Sequence, residues 1–254
     1  MSQKETITKR LHELGVMPGQ TLLVHSSLKS FGWVEGGADT IIDALIDAVC
    51  PNGNVMVPTL TGSAELSPDN PPVFNVFNSP CWTGRIPEIF RKRQEARRSL
   101  HPTHSVSCIG PDSEWLLKDH HLSPTPCGKD TPYHRLAQKD GLILLFGANF
   151  ESVTLFHTVE ELAGVSYHMQ PEPVRAKIID YRGKTLHRSL YIHKYGDERC
   201  FSRMEPVIEN SGGLRKGKIL KSTTRVIRAK ILLDKTLEKL NTDPNFLLDK
   251  EDLI

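Results

Sequence analysis

Apolar residues are distributed along the chain in two patterns, short continuous runs and runs with helical spacing. Residues 21–25 (TLLVH) form a short apolar run typical of a buried strand. Residues 38–50 have apolar positions at helical spacing, and a Pro-Asn-Gly turn separates them from a second strand-like run at 54–60. This order predicts a strand–loop–helix–strand unit, long enough to connect two parallel strands.

The remaining chain continues the alternation between helices and strands. We predict helices at 6–15, 85–93, 112–118, 133–141, 154–164 and 222–240, strands at 105–110 and 141–148, and a hairpin at 174–193 that turns at Arg182-Gly183. Residues 61–80 contain four prolines and no periodicity, which favours a lid or a wall of the substrate site over a disordered loop. The pattern predicts one α/β domain over residues 1–254, with a mainly parallel or mixed sheet flanked by helices.

Composition narrows the class of protein. The 254 residues have a net charge of +2, no apolar run near the ~20 residues of a membrane span, and no apolar N-terminal leader. Five widely spaced cysteines without a CxxC motif indicate neither a zinc knot nor a disulfide framework. We therefore expect a cytoplasmic protein with reduced thiols that binds neither membrane nor nucleic acid.

Positive charge is concentrated in residues 91–98 and 214–230. The simpler interpretation is two solvated helix faces, and the alternative is a contact with a phosphate-bearing ligand.

Residues 24–40 (VHSSLKSFGWVEGGADT) join the first strand to the next helix. Serine hydroxyls and unobstructed backbone N–H groups ahead of a helix N-terminus can bind phosphate oxygens, and Gly36 and Gly37 would allow close approach. The GxGxxG fingerprint and the Walker A spacing are both absent. A phosphate site and a simple turn before a capped helix therefore remain open.

A second candidate is TLFHTVEELAG, residues 154–164. On a helix, Glu160 and Glu161 follow His157 by three and four residues, so a carboxylate can bond one imidazole nitrogen and make the other a general base. Thr158 and Glu161 have capping-box spacing, which leaves Glu160 as the expected partner of His157. The alternative is an ordinary His/Glu pair on a helix surface.

Metal and serine-nucleophile chemistry have weaker signals. The two histidines of HPTH, His101 and His104, flank a proline, and no cysteine is close to them or to His157 in the sequence. We therefore predict no metal site. No GxSxG motif supports a serine nucleophile.

Several motifs together resemble the aminoglycoside 3-N-acetyltransferase family, the antibiotic N-acetyltransferases that are unrelated to the GNAT fold. The matching segments are LLVHSSLKSFGWVEGGADTIIDAL, VMVPTLT, WTGRIPEIFR, RRSLHPTHSVSCIG, TPCGKDTPYHRLAQKDGLILLFG, TxxHxxE and FSRMEPVIENSGGLRKGKILKSTTRVIRAKILLD. They occur in the family's order from about residue 5 to residue 248.

The resemblance implies an acetyl-coenzyme A-dependent enzyme in which His157 is the general base and Glu160 orients it, with direct transfer and no acyl-enzyme. Backbone N–H groups of the Ser-Ser loop would stabilise the oxyanion. The residues that it implies for the cofactor are His25, Ser26, Ser27, Leu28, Ser30, Phe31, Gly32, Val34, Gly36, Gly37, Thr103, His104, Ser105 and Val106. Those that we expect to contact the acceptor are Thr61, Glu65, Asp69 and Glu161.

The acceptor implied by the resemblance is a small-molecule amine. It is either the 3-amino group of an aminoglycoside, as in an antibiotic-resistance enzyme, or an amine of an amino sugar, a nucleotide or a peptide-derived compound. The low density of acidic residues favours a less cationic acceptor than an aminoglycoside. A coenzyme A thioester hydrolase and a non-catalytic coenzyme A-binding module are the alternatives. We expect a monomer or a homodimer.

Overall fold

The computed structural model describes residues 1–196 and 198–249, and a seven-stranded sheet forms its centre. The strand order is β4 (Arg97–Arg98), β5 (Val106–Ile109), β2 (Asn54–Pro58), β1 (Thr21–Ser26), β6 (Leu142–Phe146), β10 (Ser222–Arg228) and β9 (Leu214–Ile219). Strand β1 is parallel to β2 and β6, whereas the other pairs are antiparallel. The α/β fold with a mixed sheet is therefore confirmed, and the extent of a single domain stays a prediction.

Helices cover both faces of this sheet. They are α1 (Gln3–Glu13), α2 (Ala38–Val49), α3 (Arg85–Phe90), α4 (Ser113–Leu117), α5 (Pro132–Gln138), α6 (Leu155–Ala163), α7 (Glu205–Asn210) and α8 (Ala229–Thr242). Leu22 and Val24 of β1 pack with α1 and α2, whereas Leu23 packs in the opposite core with α5, α6 and α8. Because both faces are covered, β1 and β6 are apolar at successive positions. No helix of the described residues is long and apolar enough to cross a membrane.

A second, three-stranded sheet contains β3 (Val73–Asn75), β7 (Val174–Ile179) and β8 (Thr185–Leu190). The hairpin predicted at 174–193 is confirmed, with Arg182-Gly183 in its turn. The prediction that residues 61–80 are wholly irregular is wrong, because β3 pairs with β7 in parallel through Val73 and Lys177. This pairing joins residues about a hundred positions apart, so local periodicity could not reveal it.

The prediction of one helix over residues 222–240 is also wrong. Its first seven residues form β10, which pairs antiparallel with β9, and the helix α8 begins only at Ala229. The β-branched residues Thr223, Thr224, Val226 and Ile227 explain the preference for a strand.

Neither basic segment forms the solvated helix face that the simpler interpretation predicted. Residues 214–228 are the β9–β10 hairpin, and residues 97–98 are β4. Arg98 is buried, and its guanidinium donates to Ser105 Oγ (3.0 Å) and to the carbonyl oxygens of Thr59 (2.9 Å) and Ser79 (2.6 Å). At least this cation has a structural role.

Candidate active site

A cleft of about 930 Å³ opens where the carboxyl ends of β1, β2 and β6 meet. Open α/β sheets bind their ligands at this edge. The described residues lining the cleft are Val24, His25, Ser26, Ser27, Pro58, Leu60, Trp82, Thr83, Gly84, Pro87, Gly147, Ala148, Asn149, Glu151, Ser152, Thr154, His157, Thr223 and Arg225. The structure therefore places the predicted Ser-Ser segment and the predicted base on one cleft.

Helix α6 presents His157 to this cleft. Its Nδ1 lies 2.7 Å from Oε2 of Glu160, one helical turn further on, and the Glu160 side chain is fully buried. Burial alone would raise the pKa of Glu160, but the hydrogen bond from His157 and the charges of His168 and Arg199 lower it to about 2. The ionised carboxylate accepts a hydrogen bond from the Nδ1–H group of His157. The other ring nitrogen, Nε2, therefore has a free lone pair and can act as the base.

Two further side chains hold Glu160 in place. His168 Nδ1 lies 3.2 Å from the same oxygen that bonds His157, and Arg199 Nε lies 3.4 Å from the other oxygen. The imidazole of His168 stacks on that of His157, with ring centroids 5.1 Å apart. The orientation of His157 is therefore supported by groups from three segments of the chain.

The family-model comparison gives the decisive result. The family described as aminoglycoside 3-N-acetyltransferase matches residues 23–241. This chain belongs to that family. The matched region includes both the Ser-Ser loop and helix α6, so it covers the candidate active site.

Named relatives agree with this placement. The aminoglycoside N(3')-acetyltransferase-like protein YokD of Bacillus subtilis is 38% identical over 177 residues, which are 62% of this chain and 64% of YokD. The aminoglycoside N(3)-acetyltransferase III of a Salmonella species is 37% identical over 181 residues, covering 65% of this chain and 62% of the relative. The matched segments thus span less than two thirds of these relatives.

Solved structures of the family have the same fold over a longer range. The apoenzyme of aminoglycoside acetyltransferase AAC(3)-IVa superposes with a TM-score of 0.82 at 26% identity, over 99% of this chain and 93% of that chain. The YokD structure from Bacillus subtilis superposes with a TM-score of 0.81 at 29% identity, over 96% of this chain and 95% of YokD. A mutant of AAC(3)-IVa in complex with a gentamicin superposes with a TM-score of 0.83 at 26% identity, over 99% of this chain and 93% of that chain.

Of the cofactor residues implied by the family resemblance, His25, Ser26 and Ser27 line the cleft. Ser26 Oγ and His25 Nε2 are buried and have no hydrogen-bond partner among the described residues. Ser27 donates its backbone N–H to Phe146 O at 2.8 Å, so this N–H is engaged within the fold and the predicted oxyanion contact is not available from Ser27. The side chains of Ser26 and His25 are the polar groups that a ligand could satisfy.

The next residues of the loop pack inward. Phe31 and Val34 lie in the core beneath the sheet, with the ring centroids of Phe31 and Phe146 5.1 Å apart, and Leu28 packs against the same cluster. Ser30 Oγ donates to Ser27 O at 2.7 Å and lies 2.8 Å from Ser222 Oγ. These residues support the loop, and direct cofactor contacts from them stay a prediction.

The three glycines of the loop have a conformational role. Gly32, Gly36 and Gly37 have φ values of +77°, +74° and +60°, and Gly37 is the N-cap of α2. Such positive φ values favour glycine. A simple turn before helix α2 is therefore enough to explain why these three positions are glycine. The cleft-lining residues given above do not include these glycines, and their phosphate contact also stays a prediction.

The HPTHSV segment lies between the large sheet and the predicted lid. Thr103 O accepts the backbone N–H of Thr61 at 2.8 Å, and Ser105 Oγ donates to Thr59 O at 2.6 Å. The His104 ring lies 6.3 Å from that of His157, whereas Val106 begins β5 in the core. His104 therefore places an aromatic ring of this segment beside the proposed base.

The expected acceptor residues are in different environments. Thr61 donates to Pro102 O at 2.7 Å, whereas Glu65 and Asp69 are exposed. The capping-box interpretation of Glu161 is wrong, since α6 begins at Leu155 and Glu161 Oε1 instead accepts the Cys127 N–H at 2.9 Å. Burial raises the pKa of this carboxyl to about 8.

Sequence reasoning missed His168 and His193, which lie beside His157 although they are distant in sequence. It also predicted no metal site because no cysteine is close to these histidines in the sequence. That stays a prediction, although the fold brings one cysteine close to two histidines. Cys127 offers a donor atom within 4.8 Å of donor atoms of His104 and His193. No spacing signal connects these three segments, because only the tertiary fold brings them together.

Proposed function

We propose that the protein is an N-acetyltransferase that moves the acetyl group of acetyl-coenzyme A directly onto an amine. The observation that carries this proposal is the pair of His157 and Glu160. An imidazole faces a large cleft, its Nδ1 is held by a buried ionised carboxylate, and its other nitrogen is left to accept a proton. Membership of the family supplies the reaction class.

The chemistry requires a base at this position. An ammonium group has no lone pair, so it must lose a proton before its nitrogen can attack the thioester carbonyl carbon. That first proton goes to water. His157 accepts the second proton, which the nitrogen gives up as the nitrogen–carbon bond forms, and the carbon–sulfur bond breaks with its electron pair on sulfur. The thiolate takes up a proton from the imidazolium or from water. Glu160 stabilises the imidazolium in between.

The cleft fits acetyl-coenzyme A in size and in polar groups. Its volume of about 930 Å³ is near the upper end of ligand pockets, as a long cosubstrate requires. Ser26 Oγ and His25 Nε2 provide unpartnered polar atoms in its wall. Arg225, whose Nε donates to Glu205 at 3.2 Å, provides a cation beside the cleft that a phosphate group could share. We assign the cosubstrate to this cleft, with Ser27 at its wall.

Ser27→Phe should weaken acetyl-coenzyme A binding by at least about tenfold, because the ring would fill part of the cleft; tenfold corresponds to about 1.4 kcal/mol. Isothermal titration calorimetry on the folded variant measures this change. Ser189→Phe is the matched control, since Ser189 is exposed on β8. Unchanged affinity in Ser27→Phe would place the cosubstrate elsewhere.

We propose an aminoglycoside amine as the acceptor, because two named relatives carry this substrate in their names and AAC(3)-IVa has been crystallised with a gentamicin. The cleft itself is poorly suited to a polycation. Among the described residues that line it, Glu151 is the only acidic one, and its carboxylate already accepts the N–H groups of Phe201 (2.9 Å) and Ser202 (3.0 Å).

We therefore expect slow turnover of aminoglycosides, with kcat/KM below roughly 10⁴ M⁻¹s⁻¹. Few free carboxylates are available to pair with the several ammonium groups of an aminoglycoside, so these groups add little to binding. The kcat/KM for an amino sugar with one amine should therefore lie within about tenfold of the kcat/KM for an aminoglycoside. Steady-state kinetics measure kcat/KM for both kinds of acceptor at 0.1 M and 1 M salt. Because the Debye length falls from ~10 Å to ~3 Å between these concentrations, the comparison shows how much charge attraction contributes. Efficient aminoglycoside turnover that drops steeply with salt would contradict this expectation.

A thiol-release assay with acetyl-coenzyme A tests the proposed function. Wild-type protein is assayed against a panel of amines and without any amine. The proposal predicts coenzyme A release that depends on the amine. Equal release without an amine would indicate a thioester hydrolase, and no release with any amine would indicate a binding module.

A further inference from the structure

Behind the cleft, three segments bring together two imidazoles and a thiol. His104 lies between β4 and β5, Cys127 precedes α5, and His193 follows β8. Each offers one donor atom, and these atoms lie within 4.8 Å of one another. All three side chains are buried, with Cys127 fully buried.

The donor types of this cluster suit a soft divalent cation. An imidazole nitrogen of His104, one of His193 and the sulfur of Cys127 lie close together and are ligands that such a cation prefers. Zinc accepts such nitrogens together with a cysteine thiolate. Binding would displace the Cys127 thiol proton to water, and the thiolate would offset part of the positive charge.

Neighbouring oxygens orient both rings. His193 Nε2 lies 2.8 Å from Glu161 Oε1, and His104 Nδ1 lies 3.0 Å from Thr103 Oγ1. Metal-binding histidines usually have such an oxygen at one ring nitrogen. Glu161 also accepts the Cys127 N–H, so one carboxyl group contacts two members of the cluster.

The separations allow a compact site after a small movement. Donor atoms on a tetrahedral zinc ion lie roughly 3.3–3.6 Å apart, given bond lengths of about 2.0–2.3 Å. Donors within 4.8 Å of one another therefore need to close by about 1.5 Å at most. A second group, His157, His168 and His193, has similar spacing but offers three imidazole rings and no thiol.

We propose that His104, Cys127 and His193 form a zinc-binding site that fastens the end of β8 to the loops beside the large sheet. The site does not depend on the acetyltransferase proposal, because none of its three residues is assigned there to proton transfer.

Cobalt(II) is the probe, because a cobalt–thiolate bond gives a charge-transfer band in the near ultraviolet. The full chain, stripped with a chelator, is titrated with cobalt and then with zinc as a competitor. We expect one equivalent per chain, the thiolate band, and a higher Tm with zinc. Cys127→Ser should remove the band, weaken zinc binding by about 100-fold or more and abolish the Tm increase.

Cys108→Ser is the matched control, since Cys108 is also buried but its sulfur accepts a hydrogen bond from Ser113 and is not part of the cluster. This variant should keep the thiolate band, the zinc affinity and the Tm increase. Circular dichroism of the metal-free variants checks that each is folded. Three results would overturn the proposal: no cobalt binding by the wild type, cobalt binding without a thiolate band, or an unchanged band in Cys127→Ser. The second result would point to the three-histidine group instead.

Discussion

His157→Ala should lower kcat for amine acetylation by about 10²–10⁴-fold, the usual contribution of a general base. The side chain lines the cleft and is the group held by Glu160, so its removal takes away the proton acceptor. Affinity for acetyl-coenzyme A should stay nearly unchanged, because the Ser-Ser segment is intact. Steady-state kinetics and calorimetry on the same preparation measure the two effects separately.

The control for this variant is His187→Ala, which removes an exposed imidazole on β8. Glu160→Gln should lose less, about 10-fold to 100-fold, because the amide can still accept the Nδ1 proton but cannot stabilise an imidazolium. If His157→Ala kept more than about a tenth of wild-type turnover, the base would have to be another group.

Arg98→Met should reduce the free energy of unfolding by about 1–3 kcal/mol, the cost of leaving a buried hydrogen-bond acceptor without its donor. The variant removes the donor to Ser79 O and to Ser105 Oγ, whereas Thr59 O keeps the hydrogen bond from Ser105 Oγ. It also removes a contact between the sheets, since the guanidinium lies 4.8 Å from the Phe74 ring centre in β3. Denaturant unfolding measures the loss.

The neighbouring Arg97 provides a matched control, because it is exposed on the same strand. Arg97→Met should change stability by no more than about 0.5 kcal/mol. If Arg97→Met and Arg98→Met lowered the free energy of unfolding by similar amounts, the buried hydrogen bonds of Arg98 would not contribute to stability.

Local signals predicted the part of the site that lies on one helix. His157 and Glu160 are three residues apart, and α-helical geometry places such residues on one face. Strands β1 and β6 were equally accessible to prediction, because their burial on both faces produces continuous apolar runs.

The remaining features depend on long-range pairing. His168, His193 and Cys127 reach the site from loops, and their sequences have no periodicity that would connect them to α6. Strand β3 is only three residues long and requires β7 as its partner. In residues 222–228, the apolar spacing fitted a helix, but pairing with β6 and β9 made this segment a strand.

We propose direct transfer of the acetyl group from coenzyme A to an amine, with His157 as the base. The most direct test uses acetyl-coenzyme A labelled in the acetyl group, together with the best acceptor from the amine panel. Mass spectrometry then follows the label in the acceptor, in the intact protein and in free acetate. We expect one labelled acetyl group on the acceptor nitrogen for each coenzyme A released, with no label on the protein. Label that passes through a covalent protein adduct, or that appears mainly as acetate, would contradict this proposal.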